Sequence, residues 1–252
     1  MGRKRGQDID GVLLLDKQFG YSSNQSLQRV RRMLDAKKGG HTGTLDPFAT
    51  GLLVCCFGKA TKICGTMLDA DKSYIATLQF GAETDSGDLT GTVVQQAQLT
   101  AESVTREKID MVLPQFRGSI LQIPPMHSAL KRDGRPLYEY ARQGIVLERE
   151  PRAVVIHDLQ VQALDETSMV LAVDCSKGTY IRTLAQDIGR ALGCFAHLTA
   201  LRRTRVGPFD LTDATTIDQL EQMENRLTPL IPLNEIPDGL LPSNIRQKED
   251  TL

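Results

Sequence analysis

Gly40-His-Thr-Gly-Thr-Leu-Asp-Pro-Phe-Ala-Thr-Gly51 runs directly into Leu52-Leu-Val-Cys-Cys-Phe57, a polar, glycine-rich stretch feeding an unbroken apolar one. The apolar stretch reads as a buried strand. From Lys37 to Pro47 the chain is too rich in glycine for a helix or a strand, so it reads as a loop that delivers polar groups to some place. Gly40, Gly43, Gly51 and Pro47 restrict its backbone. It presents one imidazole (His41), two hydroxyls flanking Gly43 (Thr42 and Thr44) and one carboxylate (Asp46). No second acid lies near Asp46 in sequence, which argues against a paired-carboxylate hydrolase and against a local metal cluster. A lone carboxylate on a stiff loop suits a nucleophile, a base, or an anion that stabilises a cationic sugar. The bland alternative is an Asp-Pro turn in which Asp46 bonds its own backbone.

Working outward, Gly11 to Leu15 reads as a buried strand. Ser22 to Leu34 reads as a helix capped by Ser22 or Ser23, with Leu27, Val30 and Leu34 on one face. Thr61 to Leu68 reads as a second helix. Ser73 to Phe80 alternates as a strand, and Thr92 to Val94 is expected to return beside it. Between them lies the acidic loop Gly81 to Asp88. Thr100 is expected to cap a helix through Leu113, and Pro136 to Gly144 reads as a short helix ended by glycine. Ala153 to Val161 and Met169 to Cys175 read as strands, Thr179 to Leu192 as a helix, and Leu198 to Val206 as a strand with three arginines. A helix is expected from Leu211 onward, capped by Thr212 or Asp213, and the stretch from Pro229 is Pro-rich, then polar. Strands and helices mix without a strict βαβ rhythm. The fold class is therefore α+β, a largely antiparallel central sheet with flanking helices.

The chain has 252 residues, 40% apolar and 24% charged, an ordinary globular composition with material for a real core. No apolar run approaches the length of a membrane span, and no signal core follows the basic N-terminus. The five cysteines include no CxxC pair, so neither a disulfide framework nor a zinc site is expected, and a reducing cytoplasm fits. Net charge is −1, but residues 1–62 hold 11 Lys/Arg against 5 Asp/Glu while residues 210–252 hold 3 against 9. A basic N-terminal third can grip a phosphate backbone even when the total is neutral. An ionised carboxylate needs a cation, and Ser176-Lys-Gly-Thr-Tyr-Ile-Arg182 offers one. Gly178 permits a tight entry to a helix whose first turn carries Tyr180 and Arg182, and an Arg–carboxylate pair would orient Asp46 and keep it charged.

The Gly40–Gly51 string, with Gly58-Lys-Ala-Thr-Lys62 after it, resembles the signature of the bacterial tRNA pseudouridine-55 synthases, the TruB family. So do Gly11-Val-Leu-Leu-Leu-Asp-Lys17 with Ser22-Ser-Asn24, Asp71-Lys-Ser-Tyr74, and Thr84-Asp-Ser-Gly-Asp88. Ile123-Pro-Pro-Met-His-Ser-Ala-Leu-Lys131 with Tyr138-Glu-Tyr-Ala-Arg-Gln-Gly144, and Cys175-Ser-Lys-Gly-Thr-Tyr-Ile-Arg-Thr183, complete a collinear set from about residue 9 to about residue 210. The resemblance implies a pseudouridine synthase fold and a cofactor-free, metal-free isomerase. Such an enzyme breaks the N-glycosidic bond of uridine-55 in the T loop of tRNA, rotates the uracil and rejoins it through C5.

The same resemblance implies roles. Asp46 matches the catalytic aspartate, Tyr74 the tyrosine that packs on the target base, and Arg182 the arginine that pairs with the aspartate. His41, Tyr180 and Leu201 match positions that contact the flipped nucleotide or its neighbours. Lys17 and Lys62 match basic positions of the first motifs and stand outside the catalytic set. Met126-His127 stands where Met-Tyr is common in the family, which leaves His127 without a role. Residues 1–210 are expected to form the catalytic domain and 211–252 a helical tail. Members commonly carry a further small C-terminal RNA-binding domain, and the roughly 40 residues after Phe209, acidic on balance, are too few for one. The tRNA T-arm is the expected partner, with no protein partner, no membrane and a monomeric state. The competing reading is a non-catalytic tRNA-folding factor of the same fold, which would have no use for a carboxylate beside phosphates.

Overall fold

A computed structural model describes residues 6–242. The described residues form two compact units, one lying within Met1–Ser73 and Arg202–Leu252 and the other Tyr74–Leu201. In chain order the first unit supplies β1 (Gly11–Lys17), α1 (Ser23–Met33), β2 (Gly39–His41), β3 (Thr50–Phe57), α2 (Ile63–Leu68) and the start of β4 (Lys72–Phe80). The second contains the rest of β4, β5 (Ala82–Thr84), β6 (Val93–Gln96), α3 (Arg106–Val112), β7 (Gly118–Gln122), β8 (Lys131–Arg132), β9 (Arg135–Pro136) and α4 (Leu137–Ala141). It continues with β10 (Arg152–Leu164), β11 (Ser168–Cys175), α5 (Ile181–Ala191) and most of β12 (Ala196–Val206). Back in the first unit come the end of β12, β13 (Phe209–Asp210), β14 (Thr215–Thr216) and α6 (Ile217–Gln222). The class is the expected mixed α+β, with largely antiparallel strands.

In the first unit the strand order is β14-β1-β3-β12. β1 and β3 pair antiparallel from Gly11↔Phe57 to Lys17↔Gly51, while β14 on β1 and β12 on β3 are parallel. Both strands are buried on two faces. Val12, Leu14, Leu52, Val54 and Cys56 pack with Ile63 and Met67 of α2. Leu13, Leu15, Leu53, Cys55 and Phe57 pack with Leu27 and Val30 of α1 and with Ile217 and Leu220 of α6. A strand covered on both sides has no polar face, which is why these two read as unbroken apolar runs. Ser22 caps α1. Its hydroxyl accepts from Gln25 N at 3.2 Å, and the Gln25 side chain returns a bond to Ser22 N at 2.8 Å, a reciprocal capping box.

The second unit contains the order β4-β11-β10-β7, with β10 antiparallel to both neighbours. Here one face is buried and the other half-open, and the sequence alternates accordingly. In β4, Tyr74, Ala76, Leu78 and Phe80 point inward; in β11, Met169, Leu171, Val173 and Cys175 do. Helix α5 packs so tightly that a Cβ on Gly189 would lie 2.3 Å from Ala196 N, so only glycine fits there.

Four local readings differ from the structure. Gly39–His41 is a strand, paired with β3 as Gly39↔Phe57, Gly40↔Cys56 and His41↔Cys55; its glycines admit the Phe57 ring and the Cys64 sulfur at the close approach. β6 pairs with β5 rather than with β4. Thr105, not Thr100, caps the helix that follows, because Thr100 is engaged in a turn with Ser103. After Phe209, the Asp210 carboxylate caps a single 3-10 turn. Thr215 and Thr216 then lie along β1, and the helix opens only at Ile217 with Thr216 and Gln219 as its capping box. β14 is set by a strand far away in sequence, whereas Thr100 and Asp210 are diverted by turn partners two or three residues away.

Candidate active site

The loop after β2 is held from several sides within the first unit. Ser23 Oγ donates to Leu45 O at 3.1 Å and accepts from Leu45 N at 2.7 Å. Ser22 therefore caps the helix while its neighbour pins the loop. Gly20 N donates to Pro47 O at 2.8 Å, and Ala49 N to Asp46 O at 3.1 Å. Two fully buried cations complete the grip. Lys17 Nζ donates to Tyr21 O at 2.7 Å, Gln18 O at 3.0 Å and Pro47 O at 3.4 Å. Arg203 donates to Leu52 O, Gly43 O and Thr44 O.

Asp46 is half-buried on this loop. Burial pushes the Lys17 ammonium down to about 8, the nearby Asp46 carboxylate pulls it back up, and Arg203 lowers it further. His41 is half-buried, and burial followed by the Arg203 charge lowers its pKa. At neutral pH it is therefore an uncharged ring, whose Nδ1 accepts from Gly43 N at 3.4 Å. Of the two threonine hydroxyls that the loop was expected to present, Thr42 is fully buried and only Thr44 is exposed.

In the second unit, Arg182 lies in the first turn of α5 and is 5% exposed. It donates to Ser86 O at 2.8 Å and His127 O at 2.7 Å, and sits 3.6 Å from Asp88 Oδ2. Asp88 is itself fixed, accepting from Ser86 Oγ at 2.9 Å, Thr90 N at 2.9 Å and Thr90 Oγ1 at 2.6 Å. Tyr180 is the residue before α5, and its backbone is clamped by the buried Gln122. Tyr180 N donates to Gln122 Oε1 at 3.0 Å, and Gln122 Nε2 to Tyr180 O at 3.3 Å. Tyr74 on β4 and Leu201 on β12 are buried members of this unit.

His41 and Asp46 thus share one loop with Lys17 and Arg203, while Tyr180 and Arg182 share one helix start with Gln122, Ser86 and Asp88. Sequence reading missed Arg203, Gln122, and the purpose of the Thr84–Asp88 loop and of His127, which lends Arg182 a backbone carbonyl. The signal for Arg203 was present as an arginine at an inward position of an apolar strand. Nothing in the local sequence marked Gln122.

A sequence profile described as "TruB family pseudouridylate synthase (N terminal domain)" matches residues 31–181, and one described as "tRNA pseudouridylate synthase B C-terminal domain" matches residues 182–234. A Bordetella avium protein named tRNA pseudouridine synthase B is 63% identical over 96% of this chain and 100% of its own length. The protein of the same name from Bordetella pertussis is 60% identical over the same shares, and that of Dechloromonas aromatica 53% over 94% of this chain and 79% of its own. Among solved structures, a chain of a Cbf5-Nop10-Gar1 complex is similar with TM-score 0.69 and 29% identity over 89% of this chain. This chain spans 60% of that one. A chain from an H/ACA RNP bound to a substrate RNA containing 2'-deoxyuridine gives TM-score 0.67 and 25% identity over 93% of this chain and 66% of its own.

Proposed function

Since the chain belongs to the TruB family of pseudouridylate synthases, we propose that it isomerises uridine-55 in the T loop of tRNA to pseudouridine, with Asp46 as the catalytic carboxylate. The observation that carries this reading is the clamped loop: a lone carboxylate, half-exposed, on backbone held by Ser23, Lys17 and Arg203. Such rigidity suits a group that must meet one sugar carbon in one geometry. Asp46 acts as nucleophile at C1′ or as base at C2′, so that the glycosidic bond breaks, the uracil turns, and C5 rejoins C1′. Tyr74 supplies a flat surface for the base, and the buried Arg182 is the cation that the reaction's carboxylate requires. A uridine stacked in a folded loop must be swung out first, at about a few kcal/mol. His41, as an uncharged ring on a Gly-rich arm, fills the space it leaves. Tyr180 and Leu201 line the pocket that keeps the freed uracil from escaping.

The test is incubation with unmodified tRNA transcripts, followed by mapping of pseudouridine. One modified position in the T loop is the expected product, and modification elsewhere or none would reject the assignment. Asp46→Asn should bind the same tRNA and form no product, because an amide is neither nucleophile nor base. A tRNA-folding factor without catalysis would behave alike with and without this substitution.

A further inference from the structure

Arg203 is among the largest fully buried side chains of the described residues, at 1% exposed. A core position on β12 needs only an apolar side chain, and a hydrophobic residue of similar volume commonly serves as well or better than a buried charge. The guanidinium makes no ion pair among the described residues. Its three nitrogens instead donate to three carbonyls, Nε to Leu52 O at 2.8 Å, Nη2 to Gly43 O at 3.2 Å and Nη1 to Thr44 O at 3.5 Å. These carbonyls lie on both sides of Asp46 in sequence. One planar fork therefore ties the two ends of the Asp46 loop together, which the single point charge of a lysine cannot do.

Two glycines of the same motif fit around this residue. Gly51 faces Arg203 across the β3–β12 pairing. Its φ is +96°, and a Cβ there would lie 2.3 Å from Arg203 O and 2.8 Å from Arg203 N. Gly43, at φ +139°, leaves a Cβ-sized space 3.7 Å from Arg203 Nη1. The preceding residue, Arg202, anchors the strand from its other side through a forked pair with Asp16 at 2.6 and 3.1 Å. The charge of Arg203 is felt at Lys17 and His41.

We infer that Arg203 is a positioning residue for Asp46, holding the loop backbone on both sides of the carboxylate in the geometry that reaction needs. The inference rests on Asp46 being the catalytic carboxylate. The experiment compares Arg203→Met, Arg203→Lys and Asp46→Asn by thermal melting, by affinity for unmodified tRNA, and by single-turnover rate with enzyme in excess. Loss of loop geometry should lower the single-turnover rate of Arg203→Met about a hundredfold while tRNA affinity stays within about twofold. Arg203→Lys should recover only part of the rate, because it keeps the charge and not the fork.

A purely structural arginine would lower the melting temperature and leave the rate of the folded fraction intact, and that result overturns the inference. Should Asp46→Asn turn over normally, the reading of Asp46 fails, and the inference with it. If the Arg203 variants do not fold, the guanidinium N–H resonances of Arg203 are compared by NMR in the unaltered protein and in Asp46→Asn. Shifted signals support the coupling, and unchanged signals overturn it.

Discussion

At the scale of single residues, the site is a set of charges whose surroundings were chosen for them by burial. Arg182 shows what this costs. Arg182→Met would take this donor from Ser86 O and His127 O and the nearby cation from Asp88, a loss of about 3 kcal/mol. Turnover should fall by orders of magnitude while tRNA still binds. Arg182→Lys should restore little, since an ammonium cannot serve two carbonyls and a carboxylate in one plane. Asp88→Asn separates the two effects. It should reproduce part of the instability, read by denaturant titration, and leave the single-turnover rate near that of the unaltered enzyme.

Lys17 gives a pH signature. Its folded pKa is about 8 against an ordinary 10.5, so between those values the unfolded chain holds a proton that the folded one has released. Stability should therefore rise with pH through that window, and the penalty should be complete below about 8. The difference between the unaltered protein and Lys17→Met, measured by denaturation from pH 7 to 10.5, should shift by at most about 3 kcal/mol. A flat difference would show that the ammonium is not desolvated.

At the scale of elements, glycines separate packing from propensity. Gly65 lies in α2 with open space where a Cβ would go, so Gly65→Ala should stabilise by about 0.5–1 kcal/mol through helix propensity. Gly189 in α5 has Ala196 N at 2.3 Å from the same imagined atom. Gly189→Ala must push the chain after α5 away and should cost more than about 2 kcal/mol. Urea titration of both variants reads the opposite signs. The elements also mark where sequence pattern sufficed. β1, β3, β4, β11 and α1 were legible because each carries its own periodicity or apolar run, and the Ser22-Ser23 pair marked the helix start while leaving open which serine caps it. β2 was not legible, the partner of β6 was misread, and α6 was expected several residues too early. β2 and β6 are defined by the strand they pair with, and α6 begins only where β14 leaves β1; no local pattern encodes those partners.

At the scale of the whole molecule, charge distribution points to a polyanionic ligand. Residues 1–62 carry an excess of six positive charges in a chain whose net charge is −1. Affinity for tRNA should fall steeply with salt, log Kd rising linearly with log salt concentration as counterions are released. A titration that stays flat between 50 and 200 mM salt, roughly the range over which such complexes usually weaken, would remove the basic N-terminal third as the footprint. The linear order of residues sufficed for the α+β class and the family, and it singled out Asp46 with the glycines and proline around it as the candidate, because these are written in contiguous strings with their own chemistry. It did not say what surrounds the charged side chains within each unit. Arg203 meets Gly43 across 160 residues, and Arg182 meets Ser86 and His127 across 96 and 55. Whether an arginine is solvated or buried against carbonyls depends on which strands fold over it. That environment sets the pKa and the geometry of the site, and it exists only once distant segments have packed together.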